Sequence, residues 1–293
     1  MTKKTDLQKK FFLDQHGCAK NQVDGELIIS ELEKNGWSRT DDAENASLII
    51  INSCGFIESA KKEALDSVFS SRNMFPDKKI ILAGCLAERY AESLSQTLQE
   101  VDGIFGNGKI DEIASFVNDV FENSSSDSEK FPEVKVFAQN GVCDGNRTEL
   151  LNLPGSAYVK ITEGCNNHCS FCAIPLIRGE LRSRSVSKII EEIKSLLNRG
   201  IFEINLIGQD LASYGKVKTN QLKFLQVLIL KLHLWQLYFL KLQNLQVNFG
   251  FVFCTFILII FHKIFCRLLL KINEFCLILI FLSKVAMIKS LKI

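Results

Sequence analysis

The chain has 293 residues, 47% of them hydrophobic and 23% charged, with a formal net charge of +2. That balance excludes a wholly disordered chain, a collagen-like repeat and a strongly basic nucleic-acid binder. Ten cysteines are too dilute for a disulfide scaffold, and no apolar core of roughly 7–15 residues follows the charged start MTKKTDLQKK, so no signal peptide is expected. The expectation is a cytoplasmic, thiol-reduced protein whose cysteines bind something.

The averages hide a seam. Residues 1–216 carry 25 Lys and Arg against 32 Asp and Glu, whereas residues 217–293 carry ten basic residues and one acid, Glu274. The later part has one glycine, Gly250, no proline, and 38 Leu, Ile or Phe. Phe249–Phe261 and Phe275–Leu282 are apolar but interrupted by Lys263, Arg267 and Lys271. Neither reaches the roughly 20 residues of a helical membrane span. Selection for a soluble helix would also keep one polar face. Residues 217–293 are therefore expected to be an aberrant tail, of the kind an out-of-frame reading of an A/T-rich gene gives.

From the N-terminus, strand and helix signals alternate. Phe11–Leu13 is a short apolar run, and Val23–Asn35 has helical spacing closed by Gly36. Leu48–Ile51 predicts a strand, Ile57–Arg72 a helix, Lys79–Ala83 a strand and Leu86–Leu98 a helix. Ile104-Phe105 and Ile110–Phe121 repeat the pair once more. This order predicts an α/β domain over 1–122: a parallel sheet with helices on both faces. Residues 123–153 read as a linker, polar at Asn123–Lys130 and strand-like at Glu133–Phe137.

Cys18, Cys54 and Cys85 each follow a predicted strand, beside Gly17, Gly55 and Gly84. In a parallel sheet these loops share the carboxyl edge, where open α/β sheets bind ligands. Three thiols there suit a cluster or soft metal with one position open. The alternative is three small buried hydrophobes. Cys143 lies in a polar loop without a matching partner.

Beyond Pro154, the strand Tyr158–Ile161 runs into Glu163-Gly164-Cys165-Asn166-Asn167-His168-Cys169-Ser170-Phe171-Cys172. The spacing C-x3-C-x2-C reaches three corners of a cubane from one loop and leaves the fourth iron open. Zinc is the competing reading, with His168 as fourth ligand, although adjacent His168 and Cys169 suit one tetrahedral ion poorly. A helix over Ser187–Asn198, with Ser187 as N-cap, and a strand over Glu203–Gly208 follow.

The three-cysteine loop resembles the radical S-adenosylmethionine signature. Phe12–Asp24, Asn52–Lys61, Gly84–Leu86, Glu163–Ser185 and Ile207–Gly215 resemble the methylthiotransferases of that group. The runs Asn52–Ile57 and Ile177–Ser185 point to the type that modifies an aspartate β-carbon on the twelfth protein of the small ribosomal subunit. The alternatives are the tRNA-adenosine type and a non-catalytic iron–sulfur fragment.

That resemblance implies two 4Fe–4S clusters and S-adenosylmethionine. Cys165, Cys169 and Cys172 would hold the cluster whose open iron binds the amino and carboxylate groups of S-adenosylmethionine. One electron would then yield a 5′-deoxyadenosyl radical able to break an unactivated C–H bond. Cys18, Cys54 and Cys85 would hold an auxiliary cluster that supplies sulfur, and a second S-adenosylmethionine the methyl group. Phe171 is expected near the adenine, and Gln209 and Asp210 near the methionine part of the cofactor. Arg178, Arg182 and Arg184 would grip the cofactor carboxylate or an acidic substrate loop, or else form a solvated basic face. His16 reads as a polar neighbour of the first cysteine. No catalytic residue is assigned. The implied partners are the ribosomal protein and an electron donor such as flavodoxin or ferredoxin, with no specific membrane partner. Residues 154–216 would be the first part of a partial (β/α) barrel. The likeness is expected to stop near Lys216, so the chain as written is expected to be inactive.

Overall fold

The structure, a computed structural model, describes residues 9–122, 131–139, 144–215 and 251–253. In chain order the elements are β1 (Lys10–Gln15), α1 (Ala19–Lys34), β2 (Ser38–Arg39), β3 (Leu48–Ser53), α2 (Glu58–Met74), β4 (Lys79–Gly84) and α3 (Cys85–Thr97). Then come β5 (Gly103–Phe105), α4 (Ile113–Glu122), β6 (Glu133–Lys135), β7 (Ser156–Lys160), β8 (Thr162–Glu163), α5 (Ile174–Arg178) and β9 (Arg182–Ser183). The last are α6 (Val186–Asn198), β10 (Glu203–Ile207) and β11 (Phe251–Phe253); β8 and β9 pair with each other. The chain divides into two units, one of Met1–Leu151 with Glu163–Arg182, the other of Asn152–Thr162 with Ser183–Ile293.

The first unit is built on a six-stranded sheet in the order β2-β1-β3-β4-β5-β6, parallel throughout. β3, Leu48–Ser53, is buried at every position, as expected of an unbroken β-branched run covered on both faces. On one face Ile49, Ile51, Ile80, Leu82 and Ile104 pack with Ala64 and Val68 of α2 and Leu86 and Ala87 of α3. On the other, Phe105 meets Phe116 of α4 at 5.2 Å between ring centres, and α4 lies beside α1. Gly103 is required there, because a Cβ would stand 2.8 Å from the Phe116 ring.

Part of the stretch read as linker carries structure in this unit. β6 extends the sheet beside β5. Arg147 is buried in an ion pair with Glu26 of α1, whose other oxygen accepts from the Leu151 amide at 2.9 Å. With the sheet beneath it and these residues against it, α1 is buried at eleven of its sixteen positions, including Lys20, Asp24 and Glu26.

In the second unit β7 pairs in parallel with β10, from Glu203↔Ser156 to Ile207↔Lys160. α6 buries Ile189, Ile193 and Leu196. Its N-cap is Ser185, not Ser187: the Ser185 hydroxyl accepts from the Lys188 amide. From the tail, Phe251–Phe253 adds a third parallel strand beside β10. The rest of 217–293, with the expected packing of its apolar residues, lies outside the described residues, as does Cys143. Among the described residues no helix is long and apolar enough to cross a membrane.

Candidate functional site

Cys18, Cys54 and Cys85 lie at the carboxyl ends of three neighbouring parallel strands. β1 ends at Gln15, β3 at Ser53 and β4 at Gly84. Neighbouring strands lie about 4.8 Å apart, so the three loops open within roughly 10 Å of one another. Two close approaches draw them together. A Cβ on Gly17 would stand 3.0 Å from the Cys54 Cβ, and one on Gly55 would stand 2.4 Å from the Cys85 carbonyl oxygen.

An amide network sets the edge. The Asn52 side chain donates to Gln15 Oε1 and to the Asn21 carbonyl, both at 2.8 Å, and Asn21 Nδ2 donates to the His16 carbonyl at 2.8 Å. Cys18 is the N-cap of α1, and Cys85 opens α3 after Gly84. Cys18 is exposed, Cys54 half-buried and Cys85 buried.

Burial pushes the Cys85 thiol up to about 11, against the pull of the Arg178 guanidinium. Arg178 Nη2 stands 3.1 Å from the Cys85 sulfur, and Asn107 Nδ2 3.5 Å from it. Arg178 is itself buried. It donates to Asp24 at 2.7 Å and Glu163 at 3.0 Å, and Glu163 also holds Lys20 at 2.8 Å. Arg178 is therefore not on a solvated basic face. Arg182 donates to the Arg178 and Glu180 carbonyls, and Arg184, in the second unit, donates to the Lys160 carbonyl and to Glu192.

The C-x3-C-x2-C loop belongs to the first unit and is pinned to the segment that follows it. The Cys165 amide donates to the Gly179 carbonyl at 3.2 Å, and Asn166 Oδ1 accepts from the Leu181 amide at 2.8 Å. Gly164, at φ 71, lies so close that a Cβ would sit 1.9 Å from the Glu180 oxygen. Cys165 and Cys172 are half-buried and Cys169 exposed. His168, at φ 48, is exposed, as is Phe171 at 73%. Beyond the loop, Ala173 and Ile177 pack against Cys85.

Elsewhere in the two units, His16 lies between Asp14 (3.0 Å) and Glu63 (3.6 Å), and the Asp14 hydrogen bond raises its pKa. In the second unit Asp210 is buried and accepts from the Ser213 hydroxyl at 2.6 Å, while Gln209 is half-buried.

Soft thiols and no carboxylate recur in both cysteine sets, a donor chemistry that fits iron–sulfur clusters. Among the described residues no three His, Cys, Asp or Glu side chains are gathered around one ion position. The edge thiols come one per loop. Sequence reasoning missed the buried Lys20, Asp24, Glu163 and Arg178 set. Nothing local signalled it, because Lys20 and Asp24 sit among the polar residues Asn21 and Gln22 at the start of α1.

Residues 159–232 match the model of the Radical SAM superfamily, and residues 10–106 match that described as Uncharacterized protein family UPF0004. The first of these matches runs past Lys216, where the likeness was expected to stop. Residues 159–232 are thus similar in sequence to the radical S-adenosylmethionine proteins. More narrowly, the chain is 52% identical over 208 residues to the ribosomal protein uS12 methylthiotransferase RimO of Treponema denticola, covering 71% of this chain and 44% of that protein. It is 41% identical over 209 residues to RimO of Desulfotalea psychrophila (70% and 46%) and 38% over 227 residues to that of Acetivibrio thermocellus (75% and 49%). Over these residues the chain is similar to the RimO-type methylthiotransferases, and it spans a little under half the length of those proteins. Among solved structures it is similar to the radical S-adenosylmethionine methyltransferase TsrM from Kitasatospora setae, at 12% identity and TM-score 0.49, covering 77% of this chain and 53% of that one.

Proposed function

We propose that this chain is the cluster-holding part of a radical S-adenosylmethionine methylthiotransferase acting on an aspartate β-carbon of the small-subunit ribosomal protein uS12. The observation that carries this reading is the pair of three-cysteine sets in one unit, at the sheet edge and in the C-x3-C-x2-C loop. Cys165, Cys169 and Cys172 would hold one 4Fe–4S cluster, and Cys18, Cys54 and Cys85 a second. When bound, the clusters and S-adenosylmethionine supply an electron, a hydrogen-abstracting radical, a sulfur and a methyl group.

The chain's own residues supply placement. Gly164, Asn166 and the Cys165 amide fix the loop against 179–181. Gly17 and Gly55 let the Cys18, Cys54 and Cys85 loops approach. Exposed Phe171 offers an aromatic face to the adenine, and Gln209 and Asp210 follow β10 at its carboxyl end, where barrel enzymes gather their ligands. The electron donor would be flavodoxin or ferredoxin, and the compartment the cytoplasm.

The test is anaerobic incubation of the reconstituted protein with S-adenosylmethionine, a reductant, sulfide and either uS12 or tRNA, read by mass spectrometry. The proposal expects 5′-deoxyadenosine and no methylthio group on uS12 from the chain as written, with any methylthio product that does form lying on a uS12 aspartate. A methylthio group on tRNA adenosine instead would move the assignment to the tRNA type. Zinc held in place of iron would overturn it. Because the chain spans 44% of its Treponema denticola relative, 5′-deoxyadenosine without protein product would mark a cluster-bearing part that does not turn over alone.

A further inference from the structure

We propose that Arg178 is a positioning residue of the edge site, donating a hydrogen bond to the Cys85 sulfur and holding a fixed positive charge against the cluster bound there. The inference rests on the reading that Cys18, Cys54 and Cys85 hold a cluster, and adds a residue from outside both cysteine sets.

Four observations carry it. Arg178 Nη2 lies 3.1 Å from the Cys85 sulfur while also reaching Asp24 Oδ2 at 2.7 Å, and Nη1 reaches Glu163 at 3.0 Å. The two carboxylates come from α1 and from the residue before the C-x3-C-x2-C loop, so the guanidinium plane is held from two directions and cannot swing off the sulfur. Lys20, Asp24, Glu163 and Arg178 are each at most 6% exposed in their side chains. Finally, Ala173 and Ile177 seat α5 on Cys85, which places Arg178 by packing.

Stability alone explains this set poorly. Removing four charges from water costs several kcal/mol per ion, and apolar residues of similar volume often serve a core as well or better. The sulfur-facing N–H gives the burial a purpose. Hydrogen bonds and positive charge at a ligating sulfur stabilise the reduced, more negative cluster and raise its potential. Arg178 thus ties the segment after the radical-type loop to a ligand of the other cysteine set.

The test uses the full chain carrying Cys165→Ala, Cys169→Ala and Cys172→Ala, which leaves the edge site alone to be loaded and titrated by electron paramagnetic resonance. Arg178→Gln should lower the equilibrium constant for cluster reduction about tenfold, a shift of about −59 mV for one electron. Arg178→Lys, which keeps the charge without the planar fork, should shift it less. Equal loading with unchanged potential in both variants would overturn the assignment. In the parent itself, 15N-arginine should add a weak nitrogen hyperfine coupling to the reduced-cluster signal, and its absence would overturn the assignment even where a variant fails to fold. A parent that takes up no iron and sulfide would instead defeat the underlying cluster reading, and this inference with it.

Discussion

Gly55→Ala should damage the edge site selectively. A Cβ at residue 55 would lie 2.4 Å from the Cys85 carbonyl oxygen, 2.7 Å from its carbon and 2.9 Å from the Leu86 amide nitrogen. All three are backbone atoms at the start of α3, so no side chain can turn away to make room. Relieving the contact to an ordinary one requires the Cys54 loop and α3 to separate by about 1 Å, and overpacking of this kind costs about 1–3 kcal/mol. At roughly 2–4 °C per kcal/mol for a unit of this size, the unfolding midpoint should fall by roughly 2–12 °C. The same displacement spreads the Cys54 and Cys85 thiols. Iron analysis after anaerobic reconstitution should therefore show loss of the edge cluster with the loop cluster retained. Gly145→Ala, at an exposed position where the nearest atom is a Leu27 side-chain carbon at 3.3 Å, is the control and should change stability by no more than about 0.5 kcal/mol. A Gly55→Ala protein with an unchanged midpoint and both clusters loaded would refute the reasoning.

Three further outcomes are expected. Arg147→Ala leaves Glu26 buried and unpaired by its cation and should cost about 3–5 kcal/mol in denaturant unfolding, while Arg147→Met with Glu26→Gln should recover most of it; equal losses in the two proteins would contradict this. Burial alone would raise the Asp102 carboxyl, but Lys79, the Ile80 amide and Arg72 outweigh it and hold the pKa below its ordinary value. Its stabilising contribution is thus present above the ordinary value near pH 4 and is lost as pH falls through the lower folded value, so the stability gap between parent and Asp102→Asn should close in acid. A gap that stays constant from neutral pH into acid would rule that out. Phe171→Ala should leave the unfolding midpoint unchanged, since the ring is 73% exposed, while weakening S-adenosylmethionine binding measured by calorimetry; unaltered affinity would remove Phe171 from the adenine site.

The alternation of apolar runs and amphipathic segments was enough to read the parallel sheet and its helices, because a β-branched run such as Leu48–Ile51 has few other uses. Placing three cysteines after three such runs was enough to bring them to one edge. Helix starts were harder. α1 begins at Ala19, not Val23, because Lys20, Asn21 and Asp24 are polar residues buried by tertiary partners, which local periodicity cannot anticipate. The N-cap of α6 slipped from Ser185 to Ser187 because both are serines and only backbone geometry separates them. The buried pairing of Arg178 with Asp24 and Glu163 was not legible beforehand, because those partners are distant in sequence. Arg147 likewise showed no signal of its pairing with Glu26, 121 residues earlier.

The central claim is that one chain holds two separate iron–sulfur clusters on two named sets of three cysteines. Iron and acid-labile sulfide per chain, measured after anaerobic reconstitution of the parent and of the two triple Cys→Ala variants, tests it most directly. The account predicts two clusters' worth in the parent and one in each variant: the loop cluster after loss of Cys18, Cys54 and Cys85, the edge cluster after loss of Cys165, Cys169 and Cys172. A single cluster in the parent, abolished by either triple substitution, would contradict it.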